Sequence, residues 1–408
     1  MSDLVECHDC GLMLRTREVP KRTKAECPRC AAVLYRGHNP NIDHQIALLL
    51  AGLILFAIAN FYPFITFELE GRRQTSNLIT GVVEFFDRGL APLALVVLLA
   101  TIVIPLIKLL ATLYVLLGVG LGHRSPHLCT VFRFVEILHP WAMMEVFLLG
   151  ILVAYVKLVD LATLVLGPAI FAFGALIVVI VAADAALEPR QIWKAIDPRR
   201  GGAGVEAGRR DLVACHSCAL LFPSPPRGHA ACPRCGAPGH RRKPNSLTRT
   251  WALVLTAVIL YIPANVFPVM TVISFGRGEP DTILSGVKAL IEANMWPLAA
   301  IVFFASITVP VLKLLGLTFL MLSVHRRSTW RPRDRTRLYR VIESVGRWSM
   351  IDIFMISILI ALVKLGSIAT IEPGVGATSF AGVVVITMIA SMTFDPRLMW
   401  DRMEAEHG

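Results

Sequence analysis

The sequence predicts an α-helical, multi-pass membrane protein made of two parallel four-helix repeats, each preceded by a cysteine-rich head. Three observations predict this architecture. Of the 408 residues, 55% are hydrophobic and only 17% are charged, with a mean hydropathy of +0.64, which is far more apolar than a soluble domain. The chain repeats itself almost from end to end, and paired CxxC motifs precede each apolar half.

The two heads hold eight of the nine cysteines, as two CxxC pairs in each head. The pairs are separated by 16 residues in the first head and by 13 in the second. Four thiolates suit tetrahedral zinc, and two CxxC knuckles across short hairpins are typical of a zinc ribbon. We therefore expect two zinc ions, one per ribbon, bound by Cys7, Cys10, Cys27, Cys30, Cys215, Cys218, Cys232 and Cys235.

The metal is interpreted as structural: it stabilises heads that are too small to have a hydrophobic core of their own. Two alternatives remain open, namely iron in place of zinc and a redox role for the CxxC motifs. No βαβ pattern surrounds these motifs, which argues against a thioredoxin-like role, and a reducing cytoplasm argues against disulfides.

The duplication sets the domain boundaries. CHDCGL at Cys7 matches CHSCAL at Cys215, and EPRQIW at Glu188 matches DPRLMW at Asp395. The predicted domains are a first ribbon at 1–40, a first membrane unit at 41–198, a linker at 199–211, a second ribbon at 212–243 and a second membrane unit at 244–408.

Each unit contains four apolar spans that are long enough to cross a bilayer. They are predicted at 46–61, 90–117, 134–156 and 161–187 in the first unit, and at 251–267, 295–324, 341–363 and 368–394 in the second. Because four is an even number, both heads lie on the same side and the repeat is parallel. After the first span, FITFELEG at 64–71 alternates like a strand, so a small β element is expected there.

Charge distribution predicts the orientation. The net charge of +11 comes largely from basic residues between the spans, which indicates the positive-inside rule and not nucleic-acid binding. Residues 64–89 and 269–294 hold few basic residues and are predicted to lie outside. The heads and both termini are then cytoplasmic, in agreement with the lack of a cleavable signal pattern.

The second span of each unit carries a proline three residues before a lysine. These are Pro105 and Lys108 in the first unit, and Pro310 and Lys313 in the second. A lysine at such depth costs about 2.5–3.5 kcal/mol, so it should face a partner or a wet cavity. The proline removes a backbone donor and loosens the helix beside the charge.

Carboxylates at matching depth on the third span are the predicted partners, Asp352 for Lys313 and Glu145 for Lys108. Ser349 shares a helix face with Asp352 at i, i+3. Together with Ser306, two turns from Lys313, and Thr387 on the last span, these residues form a predicted polar thread through the second unit. A purely structural ion pair is the alternative to a proton or conformational relay.

These motifs together resemble the paraquat-inducible protein A family of bacterial inner-membrane proteins. The resemblance rests on the CxxC heads, the ANxxP motifs at 59–63 and 264–268, the proline–lysine spans and the closing [DE]PRxxW, and it covers essentially the whole chain. It implies tetraspanin-like four-helix units with small extracytoplasmic β elements, in the inner membrane.

The resemblance also implies a role in moving phospholipids between inner and outer membranes, beside a periplasmic MCE-domain protein that forms a tunnel. Carried over residue by residue, it implicates Lys157 and Asp160 in the first unit. In the second unit it implicates Ser306, Lys313, Ser349, Asp352 and Thr387. For Lys157 and Asp160, snorkelling at the interface is the alternative interpretation.

Our hypothesis is that the second unit has a cavity open to lipid and to the outer face, which loads or accepts a phospholipid at the tunnel mouth. A protonation change at Asp352, sensed by Lys313 across Pro310, would couple that step to the proton gradient. A non-transporting membrane anchor and a thiol or metal stress sensor are the competing interpretations. The sequence contains no nucleophile triad, phosphate loop or nucleotide motif, so an enzyme is not expected.

Overall fold

A computed structural model describes residues 4–15, 19–20, 23–37, 41–69, 72–122, 127–158, 163–197, 212–223, 230–274, 277–292, 294–362 and 369–401. Within these ranges, the side chains of residues 67–69, 72–74, 157–158, 163, 230, 272, 274, 277, 279, 298, 347, 352, 362 and 369–370 lie outside the description.

Each head consists of two short antiparallel hairpins. The first head contains β1 (Leu4–Glu6), β2 (Met13–Arg15), β3 (Lys24–Glu26) and β4 (Val33–Arg36). The second head contains β8 (Leu212–Ala214), β9 (Leu221–Pro223), β10 (Ala230–Ala231) and β11 (Pro238–Gly239). In each hairpin, the turn between the two strands carries a CxxC motif. The four cysteines of a head therefore come from its two hairpins.

The two membrane units have the same order of elements. The first contains α1 (Ile42–Phe61), β5 (Ile65–Leu69), β6 (Arg72–Ser76), α2 (Thr80–Asp87), α3 (Ala91–Leu98), α4 (Ile104–Gly120), α5 (His127–Leu138), α6 (Met144–Leu158), β7 (Thr163–Leu166), α7 (Pro168–Ala186) and α8 (Pro189–Ile196). The second contains α9 (Ser246–Val266), β12 (Met270–Ser274), β13 (Arg277–Asp281), α10 (Ile283–Glu292), α11 (Trp296–Phe303), α12 (Val309–His325), α13 (Pro332–Gly346), α14 (Ile351–Leu362), β14 (Ala369–Pro373) and α15 (Val375–Thr393).

Eight helices of the described part are long and apolar enough to cross a membrane, which confirms the predicted four-plus-four architecture. They are Ile42–Phe61, Ala91–Gly120, His127–Val156, Pro168–Ala186, Ser246–Val266, Ala299–His325, Pro332–Ala361 and Val375–Thr393. The first span of each unit ends just before an aromatic–proline pair, because a residue that precedes proline prefers an extended backbone.

The last span of each unit starts later than the sequence predicted, because a strand precedes it. Predicted spans beginning at 161 and 368 would have absorbed β7 and β14, which instead complete three-stranded antiparallel sheets. In the first unit the strand order is β6-β5-β7, with Ile65 paired to both Ser76 and Leu166. In the second unit the order is β13-β12-β14. The expected β elements are therefore present, and each ties the loop after span one to the loop before span four.

A glycine makes the turn from each sheet into the last span. A Cβ on Gly167 would lie 2.0 Å from the carbonyl oxygen of Pro63, and one on Gly374 would lie 2.1 Å from that of Pro268. Any side chain there would collide with backbone, so only glycine allows this close approach. The end of span one and the start of span four are thus held together in both units, where α1 packs on α7 and α9 on α15.

The two units meet mainly through α6 and α14, the halves of their third spans nearest the sheets. Phe147 and Phe354 pack edge to face there with ring centroids 5.4 Å apart. A Cβ on Gly150 would lie 3.0 Å from the Cβ of Phe354, so glycine allows the two helices to approach closely, as small residues do in membrane proteins. Beside them Arg88 of the first unit donates to the carbonyl oxygen of Ile371 in β14 at 2.6 Å.

The heads are exchanged between the units. The first head docks on the second unit, where Arg340 of α13 donates to Asp9 at 2.6 Å and to the carbonyl oxygen of Cys30 at 3.0 Å. The second head docks on the first unit, where Arg133 of α5 donates to the carbonyl oxygen of Cys235 at 3.3 Å. Each head therefore packs mainly on the membrane unit that does not follow it in the chain, with smaller contacts to its own unit, such as Arg190 over the Tyr35 ring and Arg397 with His216.

Candidate functional site

The span that carries the deep lysine contains a π-helical turn in both units. These turns, Leu99–Val103 and Phe304–Thr308, come directly before α4 and α12. Pro105 and Pro310 are the second residues of the helices that follow. Each proline lacks an N–H and its ring would clash with the carbonyl one turn earlier, so the backbone widens by one residue at this point.

A buried hydroxyl lies in each π turn. Thr101 donates to the carbonyl oxygen of Val97 at 2.7 Å, and Ser306 donates to that of Val302 at 2.7 Å. Both side chains are almost fully buried. Both hydrogen bonds are local to the helix, so Ser306 supports the widened turn and does not bond Lys313 directly.

The ammonium group of Lys313 lies in the interior of the second unit. The residue is only 2% exposed, and its Nζ donates to Thr387 Oγ1 on α15 at 2.9 Å. A Cβ placed on Gly346 would lie 3.3 Å from that Nζ, so the ammonium lies against the end of α13. The structure thus brings together two of the predicted residues, Lys313 and Thr387.

Next to this contact, a hydroxyl lacks a partner. Ser349 is 1% exposed, and its Oγ has no hydrogen-bond partner among the residues that the structure describes. Lys313 rests against Gly346, Ser349 follows Gly346 at i, i+3, and Asp352 follows Ser349 at the same interval in the sequence. Asp352 is the second residue of α14, but its side chain lies outside the described part. Its contact with Lys313 therefore stays a prediction.

On the sheet side of the second unit lie a small cavity, which reaches Ser306, and an apolar groove. The cavity has a volume of about 40 Å³ and lies between Asp281, Thr282, Gly286 and Ser306. The groove, of about 790 Å³, runs between α10 and α11, and we call it the outer groove; it is lined by Leu284, Val287, Ile291, Trp296, Ala299 and Phe303. A volume of this size lies within the about 300–1,000 Å³ typical of ligand sites.

Lys108 in the first unit has a different partner from the one expected. Its Nζ bonds Asp184 Oδ2 on α7 at 2.6 Å, and His139 Nδ1 lies 3.8 Å from the same oxygen. Glu145, the predicted partner, lines a cavity together with Lys108 but forms no ion pair with it. His139 occupies the position that Gly346 has in the second unit, so the first unit has an imidazole where the second has no side chain.

The third span of the first unit is broken beside this ion pair. Helix α5 ends at Leu138, a 3-10 turn covers His139–Trp141, and Ala142 is extended before α6 begins at Met144. Pro140 in this turn cannot continue a regular helix. The second unit has Arg347 at this position and runs from α13 through a 3-10 turn, Arg347–Met350, directly into α14.

Lys157 and Asp160, the residues implicated at the end of the third span of the first unit, are not placed by the structure. The side chain of Lys157 and the whole of Asp160 lie outside the described residues. Their role stays an expectation.

Each head presents four buried sulfurs that fit one metal ion. All four Sγ atoms of a head lie within 4.8 Å of one another. The closest pairs are Cys7 with Cys30 at 3.5 Å and Cys215 with Cys235 at 3.4 Å. A tetrahedral ion with metal–sulfur bonds of about 2.3 Å would separate its ligands by about 3.8 Å. The expected ligands are therefore assembled, and the two clusters could hold metal ions.

A thiolate is favoured in each cluster. Hydrogen bonding from Cys10 and then Cys7 lowers the pKa of the Cys30 thiol, and hydrogen bonding from Cys215 and then Cys218 lowers that of Cys232. None of the nine cysteines forms a disulfide. Reduced, negatively charged sulfurs are the form that binds a soft cation.

The closing DPRxxW motif, which the sequence interpretation used only as a family signature, forms the junction between heads and second unit. Arg397 is 4% exposed and donates to Asp395 Oδ2 at 3.0 Å and to Glu6 Oε1 of the first head at 3.0 Å. Burial raises the pKa of Asp395, but hydrogen bonds from Arg397 outweigh it, and the net shift is downward from 3.8. The Trp400 indole donates to Thr336 Oγ1 at 3.0 Å, which fixes the motif on α13.

Comparison with known proteins agrees with this architecture. The family model described as "Paraquat-inducible protein A" matches residues 42–197 and 247–404, which are the two membrane units. Intermembrane transport protein PqiA of Escherichia coli (strain K12) is 34% identical over 98% of this chain and 96% of its own length. Lipophilic envelope-spanning tunnel protein A of the same strain is 31% identical over 99% of this chain and 92% of its own length.

A more distant relative has a similar name. The "Probable intermembrane transport protein" of Haemophilus influenzae is 26% identical over 99% of this chain and 97% of its own length. No solved structure matches the chain.

Proposed function

The chain belongs to the paraquat-inducible protein A family, and from that membership we propose that it is the inner-membrane component of an MCE-type system that transports phospholipids between membranes. It would load or accept lipid at the mouth of a tunnel formed by a periplasmic MCE-domain protein. Relatives named for intermembrane transport and for an envelope-spanning tunnel support this proposal, and their names describe transport proteins, not enzymes. The heads and termini would be cytoplasmic and the two sheets periplasmic.

One observation carries the assignment of transport to the second unit. Lys313 is buried within a membrane-spanning helix, is bonded to the neutral Thr387 and lies against Gly346, one helical turn before Ser349, whose hydroxyl has no partner among the described residues. Buried polar groups normally have partners, so an unpartnered one calls for water or a ligand group. A cation and hydroxyls in this position suit the phosphate of a lipid head group or a relay of protons toward it.

The outer groove supports lipid entry at the same unit. It is apolar and lies on the sheet side, and Trp296 and Leu284 on its rim are both about 60% exposed. Large exposed apolar side chains along a groove suit an acyl chain. The small cavity beside it extends the route to Ser306 and the π turn.

Proton coupling is the finer part of the proposal. Asp352 would take up and release a proton, and Lys313 would respond through the widened backbone before Pro310. The i, i+3 spacing of Gly346, Ser349 and Asp352 in the sequence supports this arrangement, because Lys313 already rests on Gly346. π turns are frequent at functional positions of membrane helices.

We assign one zinc ion to each head, held by Cys7, Cys10, Cys27 and Cys30 in the first and by Cys215, Cys218, Cys232 and Cys235 in the second. Four thiolates at these distances suit zinc better than a hard cation. The metal would fold the heads, and the chain's own contacts from α5 and α13 would hold them.

A lipid-transfer experiment tests the function. The chain is purified in mild detergent, the periplasmic protein that co-purifies is identified by mass spectrometry, and the pair is reconstituted between vesicles with labelled phospholipid. Lys313→Met should lower the transfer rate by at least about tenfold, since a charge-assisted hydrogen bond contributes about 1.5–3 kcal/mol. Asp352→Asn should remove any dependence on a proton gradient.

Lys194→Met in α8 of the first unit is the matched control, because it removes an exposed lysine that lines neither the outer groove nor the small cavity, and it should transfer lipid at the native rate. Native transfer by Lys313→Met would instead favour a non-transporting anchor. If only Asp352→Asn behaves like the native protein, the coupling is wrong and the lipid route stands.

A further inference from the structure

The helical hairpins that follow the two sheets correspond in sequence but are packed differently. The hairpin of the first unit is α2 with α3, and that of the second is α10 with α11; residues 80–110 and 285–315 align without a gap. Helix α2 packs on α14 of the other unit. In the described part of the chain, the main contacts of α10 are with its own neighbours, α11 and β13. The opposite unit therefore holds the first hairpin but not the second.

A glycine at the same position of both hairpins shows this difference in atomic detail. A Cβ on Gly81 of α2 would collide with the hydroxyl of Ser357 on α14 and lie 2.9 Å from the carbonyl oxygen of that residue. A Cβ on Gly286, the counterpart in α10, would meet nothing within 4 Å. Four residues of α2 are buried, but only two of α10 are. Because segments with few buried contacts open most easily, α10 should move more readily than α2.

A charged tether also fixes the first hairpin. Arg88, at the end of α2, bonds Glu84 at 2.8 Å and donates to the carbonyl oxygen of Ile371 in β14 at 2.6 Å. The matching positions of the second hairpin are Ala289 and Ala293, which have no side-chain group that could form these bonds. Hydrogen bonds from a charged donor are among the stronger ones in proteins. The second hairpin therefore lacks the tether as well as the close fit.

Helix α10 forms the wall between the outer groove and the small cavity at Ser306. Val287 of α10 lines the groove, and Gly286 lines the cavity. The cavity is also lined by Ile356 of α14. Displacement of α10 away from α14 would therefore join the two spaces and connect the groove with the π turn.

We propose that α10 is a movable lid on the lipid route of the second unit. In the closed position, which the structure shows, α10 separates the outer groove from the small cavity. In the open position α10 leaves α14, and a lipid in the groove reaches Ser306. Helix α2 is the fixed counterpart, which joins the two units. The identity of the moving substrate rests on the proposed function, whereas the mobility of α10 rests on its packing.

Hydrogen–deuterium exchange on the full chain in lipid nanodiscs measures this mobility. The amides of α10 should exchange at least about tenfold faster than those of α2, the matched control in the same molecule, which is about the effect of one missing charge-assisted hydrogen bond. Arg88→Met, which removes the tether, should raise exchange in α2 and leave α10 unchanged. Equal exchange of α10 and α2 in the native protein would overturn the proposal.

A disulfide across the small cavity tests whether movement of α10 controls lipid transfer. Gly286→Cys with Ile356→Cys, in a Cys129→Ser background with metal in both heads, would join α10 to α14. Position 286 has room for the new side chain. Transfer of labelled phosphatidylglycerol between vesicles, with the co-purifying partner present, should fall at least about tenfold on oxidation and recover on reduction. Each single-cysteine variant should be insensitive to oxidation.

Native transfer by the oxidised protein, with the disulfide confirmed by mass spectrometry, would show that α10 does not gate the route. A native protein that transfers no lipid would instead refute the proposed function. The exchange comparison needs no transfer, so it decides the mobility of α10 in either case.

Discussion

The residue at one equivalent position, Gly346 or His139, determines which partner each buried lysine contacts. In the second unit, Gly346 leaves room for the ammonium of Lys313, which then reaches Thr387. In the first unit, the equivalent position is His139, and Lys108 turns to Asp184, one helical turn further along the last span. The first lysine is neutralised by a carboxylate, whereas the described partner of the second is a hydroxyl. This difference is the main reason to place transport in the second unit.

Arg397 is the residue on which the head junction depends most. It is buried with Asp395 and Glu6, so Arg397→Met leaves a carboxylate uncompensated in the interior, which costs about 3–5 kcal/mol. We expect a marked fall in the apparent Tm of the detergent-solubilised protein. Arg331→Met, in which an exposed arginine is lost, should leave the apparent Tm nearly unchanged; equal shifts in the two variants would show that the junction contributes little.

The acid stability of the native protein and of Arg397→Met tests the direction of the pKa shift of Asp395. Because the pKa of Asp395 is lowered from 3.8 in the folded protein, the pair contributes its full stabilisation above about pH 3.8 and loses it as the pH falls through the lowered pKa. The native protein should lose apparent Tm over that window. Arg397→Met, which lacks the pair, should show a smaller change there.

Among the helices, the contact between α6 and α14 joins the two units. Its close approach depends on Gly150, over which the backbone of α14 passes. Association of helices in lipid relies on close packing, since the surrounding tails are as apolar as the helices. Both units also keep a π turn directly before α4 and α12, so the backbone is widened near the lysine in each unit.

Gly150→Leu should weaken the contact between the units. A Cβ there would lie 3.0 Å from Phe354 Cβ and 3.2 Å from the backbone nitrogen of Met355, so a larger side chain must push α14 away at a cost of about 1–3 kcal/mol. The apparent Tm should fall, and cross-linking between engineered cysteines on α6 and α14 should slow. Gly174→Leu on α7, where nothing lies within 4 Å, is the control, and a similar loss in both variants would contradict the packing argument.

Because each head docks on the other membrane unit, the two heads connect the two halves of the molecule. The first head bonds α13 of the second unit through Arg333 and Arg340, while the second head packs on α5 of the first unit. The heads also touch each other where the backbone N–H of Ala214 donates to Glu6 at 3.3 Å. Loss of one metal should therefore be felt in the unit that is distant in sequence.

Hydrogen–deuterium exchange can detect the docking of each head on the other unit. Cys30→Ser, which removes a ligand from the first head, should raise exchange in α13 more than in α5. Cys235→Ser in the second head should do the reverse, so each variant serves as the control for the other. Faster exchange in the unit that follows the altered head in the chain would contradict the exchanged docking. Removal of metal by a chelator should raise exchange in both helices, because metal binding folds such heads.

Much of the architecture was predictable from local pattern. The eight apolar spans, the strands after the first spans and the paired CxxC motifs follow from hydropathy, alternation and spacing, which act over a few residues. The starts of the last spans were misplaced because a short apolar strand and a helical segment have similar composition, so β7 was interpreted as helix. The duplication gave the parallel arrangement of the two units.

The sequence by itself determined that the chain crosses a membrane with two cysteine-rich heads and two buried lysines beside prolines, because burial and metal ligation depend on residue type and spacing. Only the tertiary structure decided that Lys108 pairs with Asp184 and not Glu145, that Lys313 reaches Thr387, and that the heads are exchanged. These contacts join helices far apart in the chain. Their choice depends on how closely the helices pack, and single residues such as His139, Gly346 and Gly150 set that distance.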